Sequence, residues 1–97
     1  MRELKIMTVC GFGVGSSLIL KMKVDEVLSA NGISAETFPQ DVTTALSEQV
    51  DLIFTSNEIS GQLEGKVQSP LVKIDNFMDV NEIEVKGLDI IRKLMAK

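Results

Sequence analysis

KIMTVCGFGVGSSLILKMKVDEVL, residues 5–28, joins a short β-rich run to a glycine-rich turn and then to an amphipathic segment. The β-rich run stops at Cys10, which is the only cysteine of the chain. Beyond the turn, apolar residues recur at i, i+4, i+7 and i+8 from Leu20, the spacing that places them on one face of a helix. We therefore predict a strand, a tight turn and a helix that begins at about Gly15 or Ser16 and ends near Asn31, where Asn-Gly is a good helix stop.

The rest of the chain continues the alternation of strands and helices. Further strands are predicted at residues 33–38, 50–56 and 71–75, with a short helix at 43–49, a short helix or loop before the fourth strand, and a long helix from Asp79. The run at 50–56 is almost continuously apolar, which is typical of a strand in the middle of a parallel sheet. The sequence thus predicts one domain over residues 1–97, an α/β fold with a doubly wound four-stranded parallel sheet and helices on both faces.

Composition and charge argue against nucleic-acid and membrane-inserted functions. The net charge is −4, no run of basic residues is present, and the four aromatic residues are all phenylalanine. Such a chain offers neither a phosphate track nor good stacking platforms for bases. No apolar stretch approaches the roughly 20 residues of a membrane span. We therefore expect a cytoplasmic protein that does not bind nucleic acid and does not insert into a membrane.

The absence of histidine narrows the possible chemistry further. The chain contains no histidine and only two arginines, Arg2 and Arg92. Ser-His-Asp and Cys-His catalysis are excluded, and the commonest metal ligand is missing. We expect no metal site and no cofactor.

The turn after the first strand is the natural anion site of a doubly wound fold. Backbone N–H groups point inward at such a turn, and the helix N-terminus adds about half a positive charge. Gly11, Gly13 and Gly15 allow a tight curl and a close approach to an anion. Ser16 and Ser17 add hydroxyl donors. We predict a phosphate-binding loop between strand 1 and helix 1.

A thiol at the entrance of this loop should have a pKa below its usual value of about 8.5 and act as a thiolate nucleophile. Cys10 followed by a phosphate cradle indicates a covalent phosphocysteine site. The alternative is that Cys10 is merely the last core residue of its strand and the glycines serve only the turn. The three glycines and two serines that follow within seven residues favour the first interpretation.

Three named loop motifs do not match. Gly11-x-Gly13-x-Gly15 is not the GxGxxG of a dinucleotide site, because Ser16 stands at the third glycine position. The loop also lacks the Gly-Lys-Ser/Thr ending of a nucleotide-binding P-loop. In the Cys-x5-Arg loop of tyrosine-phosphatase-like enzymes an arginine would occupy position 16. Without that arginine, the phosphoryl oxygens lose their strongest ligand. Without histidine, a carboxylate such as Asp41 or Asp75 would have to activate water. Hydrolysis is therefore poorly supported.

At these residues the chain resembles a known family. VCGFGVGSSLILKMKVDEVL, residues 9–28, resembles the phosphocysteine loop and first helix of enzyme IIB components of the bacterial phosphoenolpyruvate-dependent sugar phosphotransferase system, of the lactose/ascorbate type. Two segments are most similar to the ascorbate-specific branch: GSS…KMKVD, within residues 15–25, and LVKIDNFMDVNEI, residues 71–83.

The resemblance implies a function and a set of site residues. In the family, a cytoplasmic IIA protein carries phosphate on a histidine and passes it to the IIB cysteine, which passes it to a sugar imported by the membrane IIC component. Carried over, Cys10 is the phosphorylated nucleophile. The phosphate cradle comprises Gly11, Phe12, Gly13, Val14, Gly15, Ser16 and Ser17, through their backbone and the two serine hydroxyls. Phe12 and Val14 depart from a purely small-residue loop, and we expect their side chains to point outward toward a partner.

Several other polar residues are expected near the same edge of the sheet. Ser56, Asn57 and Glu58 follow the third strand and either flank the phosphate or form a loop without a role. Lys21 and Lys23 either contact an acidic partner or belong to a solvated helix face.

Two functions remain as alternatives to a phosphocarrier: a small cysteine-dependent phosphatase, and a regulatory module whose glycine loop binds an anion without covalent chemistry.

Overall fold

A computed structural model describes the backbone of residues 3–9 and 14–96 and the side chains of residues 3–9 and 18–96. The strands are β1 (Leu4–Val9), β2 (Ala35–Gln40), β3 (Leu52–Thr55) and β4 (Leu71–Lys73), and the helices are α1 (Val14–Ala30), α2 (Val42–Ala45), α3 (Asn57–Leu63) and α4 (Val80–Met95). No helix within this described part of the chain is both long enough and apolar enough to cross a membrane.

The four strands form one parallel sheet in the order β2-β1-β3-β4. The predicted four-stranded parallel sheet is therefore confirmed. β3 lies inside the sheet and all four of its residues are buried, as its apolar run indicates. The chain leaves β1 toward one side, to β2, and then crosses to the other side, to β3. The switch point of the fold, where ligands of open α/β sheets bind, thus lies between the ends of β1 and β3.

Helices cover both faces of the sheet, which confirms the doubly wound arrangement. On one face α1 packs against α4. The core beneath this pair comprises Leu4, Ile6, Leu20, Val24, Val27, Leu28, Leu52, Phe54, Val72, Ile74, Ile83 and Ile91. On the other face α2 and α3 cover Met7, Val9, Ala45, Ile53, Ile59 and Leu63. The period-2 alternation of the strands separates the two cores, since Ile6 and Phe54 face one and Met7 and Ile53 the other.

Element boundaries differ from the predictions where local chemistry allows a longer or shorter run. β2 continues through Pro39 to Gln40, because it is an edge strand and a proline there removes no bond that the sheet needs. The predicted helix at 43–49 is the single turn α2. α1 ends as predicted at Asn31-Gly32, where Gly32 has a φ of +66° and the N–H of Ile33 donates to the carbonyl of Leu28 at 2.9 Å.

Candidate functional site

All four strands end in one row across the sheet. Gln40 of β2 pairs with Val9 of β1, Val9 pairs with Thr55 of β3, and Thr55 pairs with Lys73 of β4. The segments that follow these residues therefore leave the sheet along a single edge, here called the carboxyl rim. Cys10 follows Val9 directly. The candidate nucleophile is thus attached to the strand end beside the switch point of the fold.

The predicted phosphate loop lies only partly within the described residues. Cys10, Gly11, Phe12 and Gly13 lie outside them. Val14, Gly15, Ser16 and Ser17 form the first turn of α1, and their backbone is described but their side chains are not. The first four N–H groups of a helix have no partner within it, and the helix dipole places partial positive charge there. A 17-residue helix therefore begins where the sequence predicts an anion cradle.

Thr55, which the sequence analysis did not single out, connects three strands at this row. Its side chain is fully buried, and its hydroxyl donates to the carbonyl oxygen of Val9 at 2.9 Å. The carbonyl oxygen of Thr55 accepts from the N–H of Ile74 at 2.8 Å. A buried hydroxyl needs such a partner, because leaving it unpaired is costly. A threonine at the end of an otherwise apolar strand was the available signal.

The residues after β3 are engaged within the chain. Ser56 caps α3, and its hydroxyl accepts from the N–H of Ile59 at 3.2 Å. The side-chain amide of Asn57 donates to the carboxylate of Asp75, which joins the start of α3 to the segment after β4. Glu58 is exposed in the first turn of α3. Ser56 and Asn57 therefore have structural roles at the carboxyl rim.

A charged cluster fixes the segment between β4 and α4. The carboxylate of Glu82, whose side chain is 14% exposed, accepts from the N–H groups of Asp75 at 2.6 Å and Asn76 at 3.0 Å and from the ammonium of Lys86 at 2.6 Å. Lys86 also donates to the carbonyl of Lys73 at 3.2 Å and lies 3.5 Å from the carboxylate of Asp75. The cluster therefore holds the carboxyl end of β4 and the start of α4 together.

These contacts shift the titration of both partners. Burial is the largest single influence on Glu82, and it acts to raise the pKa of the carboxyl group. The opposing effects outweigh burial in sum: hydrogen bonds from Lys86 and from two backbone N–H groups, and the positive charge of Lys86. The pKa of Glu82 is held below its ordinary value of 4.5. The hydrogen bond to Glu82 is the main reason that the pKa of Lys86 is raised above 10.5.

We expect Glu82→Gln to lower the free energy of unfolding by about 1–2 kcal/mol at pH 7, because charge-assisted hydrogen bonds are lost. A depressed carboxyl pKa stabilises the fold fully above pH 4.5, and this contribution is lost as the pH falls through the folded-state value. The difference between wild type and variant should thus be constant from about pH 6 to 8 and shrink below pH 4.5. Urea unfolding across this range measures it. Glu36→Gln, at an exposed site on β2, controls for loss of one charge; an equal effect there would contradict the prediction.

Two aspartates named in the sequence analysis act as helix caps. Asp79 accepts from the N–H of Glu82 at 3.2 Å, as a capping box predicts, but Glu82 binds Asp75 and Asn76 instead of returning to Asp79. Asp41 caps α2 by accepting from the N–H of Thr44 at 2.7 Å, and this backbone hydrogen bond is the main reason that its pKa is lowered. Neither Asp41 nor Asp75 is a carboxylate without a partner in the chain.

The two lysines of α1 form ion pairs within the chain. Lys21 lies 2.7 Å from Asp25, and Lys23 lies 3.1 Å from Glu26. Asp25 also accepts from the hydroxyl of Thr37 at 2.5 Å, which joins α1 to β2. The half-buried lysine side chains therefore have intramolecular partners. The more exposed residues near the start of α1 are apolar: Leu18, Ile19 and Met22.

Comparison with known proteins agrees with this architecture. The sequence model of the family described as the lactose/cellobiose-specific IIB subunit of the PTS system, the sugar phosphotransferase system, matches residues 5–86. The chain belongs to this family. IIB components of the PTS are phosphotransferases that act in sugar uptake together with IIA and IIC partners. The resemblance noted at residues 9–28 is therefore confirmed at the level of the family.

Individual relatives carry two substrate names. The chain is 32% identical over 91 residues to the ascorbate-specific PTS system EIIB component of Salmonella choleraesuis, covering 92% of this chain and 90% of the relative. It is 28% identical over 85 residues to the protein of the same name from Mycoplasma pneumoniae, covering 86% and 90%. The lactose-specific IIB domain of Streptococcus pneumoniae matches in fold, with a TM-score of 0.61 at 13% identity over 98% of this chain and 97% of that one.

Proposed function

We propose that this IIB component is a cytoplasmic phosphocarrier that accepts a phosphoryl group on Cys10 from a phosphohistidine of a IIA protein. It then transfers the group to a sugar imported by a membrane IIC component, with residues 1–97 acting as one IIB domain. The observation that carries the proposal is the position of the only cysteine, directly after β1 beside the switch point, in front of a helix that begins at Val14. Ligands of open α/β sheets bind at that point.

The chemistry consists of two displacements at phosphorus. The Cys10 thiolate attacks in line, an S–P bond forms, and the P–N bond to the donor histidine breaks. The electron pair of that bond stays on the histidine nitrogen, and the imidazole takes up a proton from solvent and leaves in its neutral form. In the second step a sugar hydroxyl oxygen attacks, an O–P bond forms, the S–P bond breaks and the hydroxyl proton passes to solvent. The backbone N–H groups of residues 11–17 and the hydroxyls of Ser16 and Ser17 would stabilise the charge on the phosphoryl oxygens in both steps.

Transfer is better supported than hydrolysis. The chain has no histidine to activate water, and Asp41 and Asp75 are bound by other groups of the chain. Arg92 lies in the last turn of α4. At 1.5 Å per residue it is roughly 18 Å along the helix axis from Val80, which lies near the carboxyl rim. It therefore does not replace the loop arginine of a cysteine-dependent phosphatase.

Ascorbate is the sugar we propose. The relatives of 28–32% identity are named ascorbate-specific, and this chain covers about nine tenths of their length. The lactose-specific structure shares the fold at only 13% identity. The segments at residues 15–25 and 71–83 are also those that resemble the ascorbate branch.

Intact-mass spectrometry tests the carrier function. Mixed with phosphoenolpyruvate, the general phosphotransferase proteins and an ascorbate-type IIA, the chain should gain one phosphate, and peptide mapping should place it on the peptide that contains Cys10. Omitting IIA is the control and should remove the gain. A chain that stays unmodified beside a demonstrably phosphorylated IIA would contradict the proposal, whereas steady hydrolysis of an aryl phosphate would favour the phosphatase.

A further inference from the structure

We infer that Thr55 is a positioning residue for Cys10. Its hydroxyl holds the strand end to which the nucleophile is attached. The inference rests on the proposed role of Cys10 in phosphoryl transfer and adds a group to that site. Thr55 itself need not contact the phosphoryl group.

The geometry singles out the Val9 carbonyl. The Thr55 hydroxyl donates to that oxygen at 2.9 Å, between residues 46 positions apart in sequence. This carbonyl belongs to the peptide group that links Val9 to Cys10. A peptide group is planar, so a bond that fixes its oxygen also restrains the nitrogen and Cα of the following residue. The side chain of Thr55 is therefore hydrogen-bonded to the peptide group that leads into Cys10.

The donor is itself rigidly held. Thr55 is fully buried, its backbone pairs with Val9 on one side and Lys73 on the other, and its carbonyl accepts from Ile74 at 2.8 Å. In-line transfer depends on such placement, since a misplacement of about 1 Å can cost roughly a hundredfold in rate. The field of the α1 N-terminus also falls off within one helical turn, so the thiolate is sensitive to the same displacement.

Three variants test the inference. Thr55→Val removes the hydroxyl at nearly constant shape, and Thr55→Ser restores it. Ser60→Ala is the matched control, because Ser60 is also buried and its hydroxyl donates to a backbone carbonyl, that of Asn57, at 2.8 Å. Two quantities are measured for each: the rate of phosphorylation by phospho-IIA, and the pH midpoint of iodoacetamide alkylation of the single thiol. Circular dichroism and thermal melting establish that each variant is folded.

Thr55→Val is expected to be phosphorylated about tenfold more slowly and to have an alkylation midpoint shifted toward that of an ordinary thiol, near 8.5. Thr55→Ser and Ser60→Ala should remain within about twofold of wild type. The inference is overturned if Thr55→Val matches wild type in both quantities, if Thr55→Ser is as impaired as Thr55→Val, or if Ser60→Ala is equally slow. If Thr55→Val does not fold, Thr55→Ala takes its place under the same criteria. A wild type that no IIA phosphorylates would refute the carrier function, while the alkylation series would still decide the role of Thr55.

Discussion

The Cys10→Ala protein is expected to fold like the wild type and to accept no phosphate from phospho-IIA. The chain has one cysteine and no histidine, so removal of this thiol leaves no side chain of comparable nucleophilicity at neutral pH. Transfer to the sugar, measured as sugar phosphate formed in membranes that contain the IIC component, should fall to background. The same mixture with wild-type protein is the positive control.

Cys10→Ser makes the test more specific. A serine hydroxyl is not ionised near pH 7, and without a neighbouring base it is a poor nucleophile. The serine variant should therefore be as inactive as the alanine variant, although it keeps a polar atom at the position. Alkylated wild-type protein should behave in the same way, since the single cysteine restricts the label to one site. Sugar phosphorylation that persists in all three would show that the phosphoryl group passes through another residue.

The architecture could be predicted from sequence because the deciding signals are local. The alternation of apolar strands with helices gives the parallel sheet, and the continuous apolar run around Phe54 places β3 inside it. The position of the candidate nucleophile follows from the same pattern, since ligands gather where strands end at a switch point. Single residues such as Gly32 and Asp79 mark helix ends by their own backbone and capping chemistry.

The missed features depend on contacts between residues distant in sequence. Nothing near Thr55 shows that its hydroxyl reaches a carbonyl 46 residues earlier. Glu82 has the spacing of a capping box, yet its carboxylate binds the chain after β4, because that segment brings two N–H groups within reach. For Asn57 the sequence allows either a place beside the phosphate or a loop without a role. The hydrogen bond from Asn57 to Asp75 forms only when β3 and β4 are paired, so the sequence near Asn57 does not indicate it. Such contacts are products of the assembled sheet.

A buried glycine of α4 determines how closely this helix approaches the sheet. Gly87 is buried against the ring of Phe54. A Cβ atom at Gly87 would lie 2.5 Å from Phe54 Cζ and 2.7 Å from Phe54 Cε1. The ring is fully buried within the core between α4 and the sheet, so it cannot turn away without disturbing its neighbours.

Gly87→Ala is therefore expected to lower the free energy of unfolding by about 2 kcal/mol. Alanine gains about 1 kcal/mol from helix propensity, but overpacking of a tight core costs about 3 kcal/mol at the upper end of its usual range. Gly87→Val adds more volume and gains less from helix propensity than alanine does, so it should lose more than about 3 kcal/mol. Each kcal/mol corresponds to a fall of about 4–8 °C in melting temperature for a domain of this size, so both variants are measurable by calorimetry and urea unfolding.

Gly61→Ala is the matched control for these variants. Gly61 is also helical, lies exposed in α3, and has open space where a Cβ atom would stand. With no clash to oppose it, the added methyl group should leave stability unchanged or raise it by up to about 1 kcal/mol. If Gly87→Ala raised stability in the same way, the ring of Phe54 would not be held against α4 as the structure places it.

A second substitution identifies the clash itself. Phe54→Leu shortens the side chain that faces Gly87 and alone should cost about 1–3 kcal/mol through lost packing. Combined with Gly87→Ala, it opens the space that the new methyl group requires, so the double variant should be more stable than the sum of the two losses by at least about 0.5 kcal/mol. Strict additivity would mean that the loss at Gly87 arises elsewhere. Phe54 directly precedes Thr55 in β3, so strain at Gly87 that displaces Phe54 should also displace Thr55. We therefore expect Gly87→Val to slow the phosphorylation of Cys10. Adding Phe54→Leu to that variant should partly restore the phosphorylation rate.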